Sequence, residues 1–205
     1  MIISFEGCIG SGKTTTAQLV AAKLKCRYLP GQALPSSALS RFYSDSAYHA
    51  FETELGFLLM HHFQMADVKS ELASDLILDF SPGRDLIFAR MNLEPLELET
   101  FERVYANLAS KTPNPMLTIY LDVCLEEIVR RIAIRGRPYE MNMDTDYLKR
   151  LIVHYETHLT ELGDRVVILQ VGPGETRESV TSRAIDLITF ARSSFSSGDA
   201  KNIIP

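Results

Sequence analysis

Ile2-Ile3-Ser4-Phe5-Glu6-Gly7-Cys8-Ile9-Gly10-Ser11-Gly12-Lys13-Thr14 decides the fold of this 205-residue chain. Residues 2–6 read as a short buried strand, and Gly7 to Thr14 satisfy the pattern G-x-x-x-x-G-K-[ST]. A helix follows from about Gly12 or Lys13 to Lys25, with Leu19, Val20 and Leu24 on one side. In such a loop the glycines let the main chain wrap close to phosphates, successive N–H groups form an anion nest, and the helix N-terminus adds its dipole. The stretch Gly7, Cys8, Ile9, Gly10, Ser11, Gly12, Lys13, Thr14 and Thr15 is therefore expected to hold a nucleoside triphosphate. Lys13 is expected on the β- and γ-phosphates, and Thr14 is expected to place its hydroxyl on magnesium. The loop alone does not separate a kinase from an ATPase, a GTPase or a nucleotide carrier.

Outward from this unit the chain alternates strand and helix. A second strand is expected near Cys26 to Leu29, ended by Pro30, Gly31 and Pro35. Helical periodicity runs from Ala38 to about Ala73, with a break near Ser44 to Ser46. Leu76-Ile77-Leu78 reads as a buried strand ending in Asp79, which falls on the C-terminal sheet edge where open α/β sheets bind ligands. Helices are expected at 84–92 and 95–110, a strand at 116–121, helices at 124–134 and 145–162, a last strand at 166–171 and a final helix near 176–192. The sum is a five-stranded parallel sheet with helices on both faces, a single domain over residues 1–192. Residues 193–205, rich in Ser and Gly at first, read as a loosely held tail.

Composition bounds the partners. Hydrophobic residues make up 46% and charged residues 23%, so the chain is apolar enough to fold around one core. A net charge of −5 argues against a broad nucleic-acid surface. The three cysteines Cys8, Cys26 and Cys124 form no C-x-x-C pair and suit a reducing compartment. No apolar run approaches the ~20 residues that span a bilayer, and residues 1–6 carry no export signal, so a cytoplasmic location is expected.

Two further groups carry chemistry. Arg131 and Arg135 share a helix face, and Arg137 lies just beyond Gly136, where the chain can hinge over phosphates; guanidinium groups clamp a transferring phosphoryl group bidentately. Asp79, at its strand end, is placed to hold magnesium directly or through water. His154 and His158 have zinc-ligand spacing, but no third ligand accompanies them.

These segments resemble the deoxyribonucleoside kinases and, more distantly, thymidylate kinase. The resemblance rests on the opening strand and loop, on Phe42-Tyr43 through Phe51-Glu52-Thr53-Glu54-Leu55-Gly56-Phe57, on Asp79-Phe80-Ser81-Pro82-Gly83-Arg84-Asp85, and on Arg131 to Glu140 followed by Tyr147-Leu148. It implies ATP and Mg²⁺ as ligands, a small nucleoside-like acceptor and a homodimer through long helices. It also implies that Tyr43 and Glu140 hold the sugar hydroxyl, that Glu54 and His61 occupy base-reading positions, and that Asp85 helps position the base.

The chain departs from that family on the acceptor side. Where the family carries Glu-Pro after its second strand, Tyr28-Leu29-Pro30-Gly31-Gln32 has no carboxylate. Phe80 stands where the family has an arginine, Glu54 where it has a glutamine, and His61 where it has a second arginine. Two readings follow: a kinase of altered acceptor specificity in which Glu54 or Asp79 replaces the lost base, or a nucleotide-binding subunit that has lost transfer.

Overall fold

A computed structural model of the chain describes residues 1–68, 75–140, 143–162 and 165–196. Five parallel strands, β1 (Ile2–Glu6), β2 (Arg27–Leu29), β3 (Leu76–Leu78), β4 (Leu117–Val123) and β5 (Val166–Val171), form one sheet in the order β2-β3-β1-β4-β5. The wholly buried runs of β1 and β3 are explained by this order: strands covered by helices on both faces bury successive side chains whichever way they point. Ile3, Phe5, Ile77, Ile119 and Leu121 sit in the resulting core. The expected five-stranded doubly covered sheet is the one observed.

The helices are α1 (Lys13–Leu24), α2 (Ser36–Ser44), α3 (Ser46–Val68), α4 (Pro82–Asn92), α5 (Pro95–Ala109), α6 (Leu125–Arg135), α7 (Thr145–Leu162) and α8 (Arg177–Ser196). The break foreseen near Ser44 is real: the amide of Asp45 caps α2 on the Arg41 carbonyl, and α3 starts one residue later. Residues 69–73, expected to continue that helix, lie outside the described residues. At the C-terminus α8 continues through Ser196, past the 192 expected as its end, because Ala184, Ile188 and Ala191 pack into the core and carry the helix onward. Residues 197–205 lie outside the described residues. Among the described residues no helix is long and apolar enough to cross a membrane.

Two smaller clusters fix the position of the site. Met65 and Val68 of α3 pack on Ile2, Leu76, Leu78 and Phe80, while Leu58, Leu86, Ala89 and Phe101 lock α3 to α4 and α5. The turn from β3 into α4 is pinned to β1 by two buried hydrogen bonds. The Ser4 hydroxyl donates to the Phe80 carbonyl at 2.9 Å, and the Ser81 amide donates to Glu6 Oε1 at 2.6 Å. Together with Pro82 at the start of α4, these bonds hold its first turn against the strand that feeds the phosphate loop.

Candidate active site

The loop between β1 and α1 has the backbone its glycines require. Gly7, Gly10 and Gly12 all have positive φ, at 147°, 85° and 101°. A Cβ on Gly7 would lie 2.8 Å from the Leu121 carbonyl oxygen, so no side chain fits there without moving β4. Lys13 folds back over the loop, its Nζ donating to the carbonyls of Gly7 at 2.8 Å and Cys8 at 3.0 Å. Burial, with the nearby Arg84 charge second, lowers the Lys13 ammonium to about 8. A lysine held by carbonyls alone in such a place lacks an anion. Burial also pushes the Cys8 thiol up to about 11, so Cys8 is a packing residue of the loop with no thiolate at neutral pH.

Over this loop lies a cavity of about 630 Å³, lined by Gly12, Lys13, Thr14, Thr15, Arg131 and Gly174 among others. Arg131 docks on the loop through a 2.8 Å hydrogen bond from Nη1 to the Ser11 carbonyl, and its Nε donates to Glu127 Oε1 at 2.7 Å. Arg130 grips the same carboxylate and lines the same cavity. Hydrogen bonds from Arg130 and then Arg131 hold the Glu127 carboxyl down to about 2. The sequence reading did not single out Glu127 or Arg130; a carboxylate three and four residues ahead of two arginines is the signal that finds them.

A second cavity, of about 280 Å³, opens on the other side of the loop. It gathers Tyr43 from α2, Glu54 and His61 from α3, Asp79 from the end of β3, Asp85 from α4 and Glu140 from a short 3-10 turn at Pro138–Glu140. Every residue assigned to the acceptor thus lines one space. Gly10, Lys13, Thr14 and Arg135 line both cavities. Arg135 Nη2 donates to Glu140 Oε2 at 2.5 Å, and Arg137 Nη1 donates to Oε1 at 3.4 Å, so the two basic residues beyond α6 are gathered over the acceptor side by one buried carboxylate.

Asp79 reaches across to the end of β2. Its Oδ2 accepts from the Tyr28 hydroxyl at 2.9 Å and its Oδ1 from the Gly31 amide. A Cβ at position 31 would stand 3.1 Å from Asp79 Oδ1, so glycine leaves the space that the carboxylate occupies. These bonds bring a carboxylate from the end of β3 beside the end of β2, where the sequence carries none.

Glu54 is buried, and Oε1 accepts a 2.7 Å hydrogen bond from Asn92 Nδ2. Desolvation raises its carboxyl to about 8; the Asn92 hydrogen bond opposes this, and the negative charge of Asp85 adds to it. In this setting the carboxyl keeps its proton at neutral pH, and a protonated carboxyl presents a donor beside an acceptor as an amide does, whereas an ionised one only accepts. Desolvation likewise raises the Tyr43 hydroxyl, with Glu140 and Glu54 reinforcing the shift, so it is a neutral donor.

His61 and Asp85 form a buried pair, Nδ1 to Oδ1 at 2.8 Å. The imidazole stacks on Phe80, with ring centroids 4.7 Å apart and planes 21° from parallel. Phe80 is fully buried and packs with Met65, Val68, Leu76 and Leu78, so it is a core residue rather than an exposed replacement for a cation. A different cation lines the cavity. Arg84, in the first turn of α4, lines the acceptor cavity with its guanidinium carbon 5.4 Å from the Phe88 ring centroid. Burial weakens its charge, but Tyr155, Glu6, Asp85 and Asp79 outweigh that effect and raise it above its ordinary value. Arg84 stood inside the quoted motif, yet only the three-dimensional position of α4 gives it significance.

For magnesium, the donor set fits a cation that keeps phosphate and water ligands. Among the described residues no cluster of three His, Cys, Asp or Glu side chains could cage a metal unaided, and Mg²⁺ commonly takes only one or two carboxylates with substrate phosphates. The Thr14 hydroxyl position and Asp79, each of whose oxygens keeps a lone pair beyond its hydrogen bond, meet that requirement.

Comparison with known proteins agrees with this geometry. The profile of the deoxynucleoside kinase family matches residues 3–191. The deoxyguanosine kinase of Bacillus subtilis is 29% identical over 188 residues, covering 89% of this chain and 90% of that protein. The deoxyadenosine kinase of Dictyostelium discoideum is 26% identical over 178 residues, covering 84% and 72%. The structure of deoxyadenosine kinase from M. mycoides with bound dATP superposes with a TM-score of 0.80 at 20% identity, covering 92% of this chain and all of that one. With the phosphate loop, the doubly covered parallel sheet and a profile spanning nearly the whole length, this chain belongs to the deoxynucleoside kinase family of phosphotransferases.

Proposed function

We propose that this protein moves the γ-phosphoryl group of ATP to the 5′-hydroxyl of a deoxynucleoside. One observation carries the reading: two cavities, one over the phosphate loop and one walled by the acceptor residues, meet at Gly10, Lys13, Thr14 and Arg135. A donor in the first and an acceptor in the second would face each other across Lys13, the arrangement that positional catalysis of phosphoryl transfer requires.

In this reading Lys13 and the loop amides hold the β- and γ-phosphates, and Arg131, Arg135 and Arg137 cover them. Thr14 and Asp79, the latter through water, would hold magnesium, which when bound neutralises charge on the phosphates. Asp79 has its carboxylate oriented by Tyr28 and Gly31 in the acceptor cavity, and it is the group that takes the acceptor proton. Tyr43 and Glu140 hold the sugar, while Glu54 and the Asp85–His61 pair read the base. The protonated Glu54 offers the donor and acceptor of the amide it replaces, which favours retained transfer over the binding-subunit reading.

Deoxyguanosine and deoxyadenosine are the first acceptors to assay, since the named relatives are kinases of these nucleosides. A homodimer through α3 belongs to the same reading, supported by the exposed Leu59 and Phe63 four residues apart on that helix, and so does a cytoplasmic location, supported by three free cysteines. The test is ADP formation from Mg-ATP with and without each deoxynucleoside. Acceptor-dependent ADP that disappears in Lys13→Ala supports the proposal, and ADP formation indifferent to every acceptor overturns it.

A further inference from the structure

Arg84 is a charged side chain with no counterpart. Among the described residues no carboxylate lies within ion-pairing distance of its guanidinium, and none of its N–H groups is hydrogen-bonded; its contact is with the Phe88 ring, 5.4 Å away. It nevertheless lines the acceptor cavity together with Lys13, the loop cation that is itself held by carbonyl oxygens only. Two cations facing one space without paired anions constitute a site for an anion, because each repels the other until one arrives. The carboxylates of Glu6, Asp79 and Asp85 lie close enough to keep Arg84 charged yet do not bind it. Glu6 is engaged by the Ser81 amide and the Tyr155 hydroxyl, Asp79 by Tyr28 and Gly31, and Asp85 by His61. The guanidinium therefore keeps its N–H donors for something that enters the cavity.

Its location says what that something is. Arg84 rides on the first turn of α4, which is pinned to β1 by the Ser4 and Ser81 hydrogen bonds and begins at Pro82, four residues after the end of β3 at Leu78. It lies four residues beyond Phe80, whose ring is committed to the His61 stack. We propose that Arg84 is a catalytic residue of phosphoryl transfer, contacting the transferring group from the acceptor side while Lys13 contacts it from the donor side. Charge develops on the equatorial phosphoryl oxygens and on the oxygens between which the group passes, and a guanidinium held in place before the substrates bind stabilises it without reorganisation. The bond between the γ-phosphorus and the bridging oxygen of ATP breaks, the bond to the acceptor oxygen forms, the acceptor proton leaves to Asp79, and Arg84 neither gains nor loses a proton.

This inference rests on the transfer reading above, and the test separates the two. Arg84→Gln and Arg84→Lys are compared with wild type for kcat, for deoxynucleoside KM and for equilibrium ATP affinity, with thermal midpoints recorded for each. The expected result is a kcat about 10²–10³-fold lower in Arg84→Gln, a smaller loss in Arg84→Lys, and ATP affinity within about threefold of wild type in both, as for an interaction made only in the transition state. Arg84→Gln turning over like wild type would overturn the role of Arg84 alone. A kcat loss in Arg84→Gln matched by an equal loss of ATP affinity would likewise overturn it, as would Arg84→Lys behaving as wild type in kcat. A wild-type protein without acceptor-dependent turnover would overturn the transfer reading and this inference with it.

Discussion

At the scale of single residues the acceptor cavity is governed by the state of Glu54. Its carboxyl is pushed up to about 8 from an ordinary 4.5, chiefly by burial. For an acid raised in this way the folded state binds more protons than the unfolded state between the two values. The stability it contributes is thus complete below pH 4.5 and is lost as pH rises toward 8. Glu54→Gln removes this dependence while keeping a donor and an acceptor of the same shape. The variant should be more stable than wild type at pH 9 by about 1–3 kcal/mol, and its deoxynucleoside KM should stay flat above pH 8 where that of wild type rises. Chemical denaturation and initial rates across pH 6–9.5 check both. Asp79 makes the complementary case. Asp79→Asn keeps partners for the Tyr28 and Gly31 donors on one side only and removes the base, so kcat should fall about 10²–10⁴-fold; unchanged turnover would remove Asp79 from both of its assigned roles.

At the scale of elements, the phosphate loop and α6 form one device. Gly10 packs against α6 so closely that a Cβ there would stand 3.0 Å from Ile132 Cγ1 and 3.2 Å from the Ile128 carbonyl, with φ at 85°. Gly10→Ala combines left-handed strain with a collision against helix backbone, so a loss of about 1–3 kcal/mol is expected, together with weaker ATP binding; thermal unfolding and equilibrium titration read the two. This element was legible in sequence because its chemistry is local: the glycines, lysine and threonine follow one another along the chain, and the strand before and helix after them are periodic. The acceptor side was legible only in part. Tyr43, Glu54, His61, Asp85 and Glu140 do line one cavity, but what Glu54, His61 and Asp85 can do depends on partners 24 to 38 residues away, as the His61–Asp85 and Glu54–Asn92 hydrogen bonds show. Neither the proton on Glu54 nor the position of Arg84 is written in local periodicity. The first follows from burial among Asn92 and Asp85, and the second from where α4 docks. Phe80 illustrates the difference: in sequence it reads as a lost arginine, and in the fold it is the stacking partner of His61, with a cation four residues further on.

At the scale of the whole molecule, the sheet order brings the ends of β1, β2 and β3 to one edge, and the helical layers close two cavities around that edge. Burial first, and then the charge of Arg84 held nearby before any phosphate arrives, bring the Lys13 ammonium down to about 8. Triphosphate binding reverses that shift, since an anion favours the charged lysine. Above pH 8 the binding of ATP should therefore take up roughly one proton, measurable as a dependence of calorimetric enthalpy on buffer ionisation enthalpy, and Lys13→Ala should abolish the uptake. The junction of the two cavities would let phosphoryl pass directly from a nucleotide on the loop to a deoxynucleoside beside Asp79. The most direct measurement is to supply γ-labelled ATP with deoxyguanosine or deoxyadenosine and identify the labelled product. The account predicts labelled deoxynucleoside 5′-monophosphate from wild type and none from Lys13→Ala; label released only as inorganic phosphate, or retained in ATP with every deoxynucleoside offered, would contradict it.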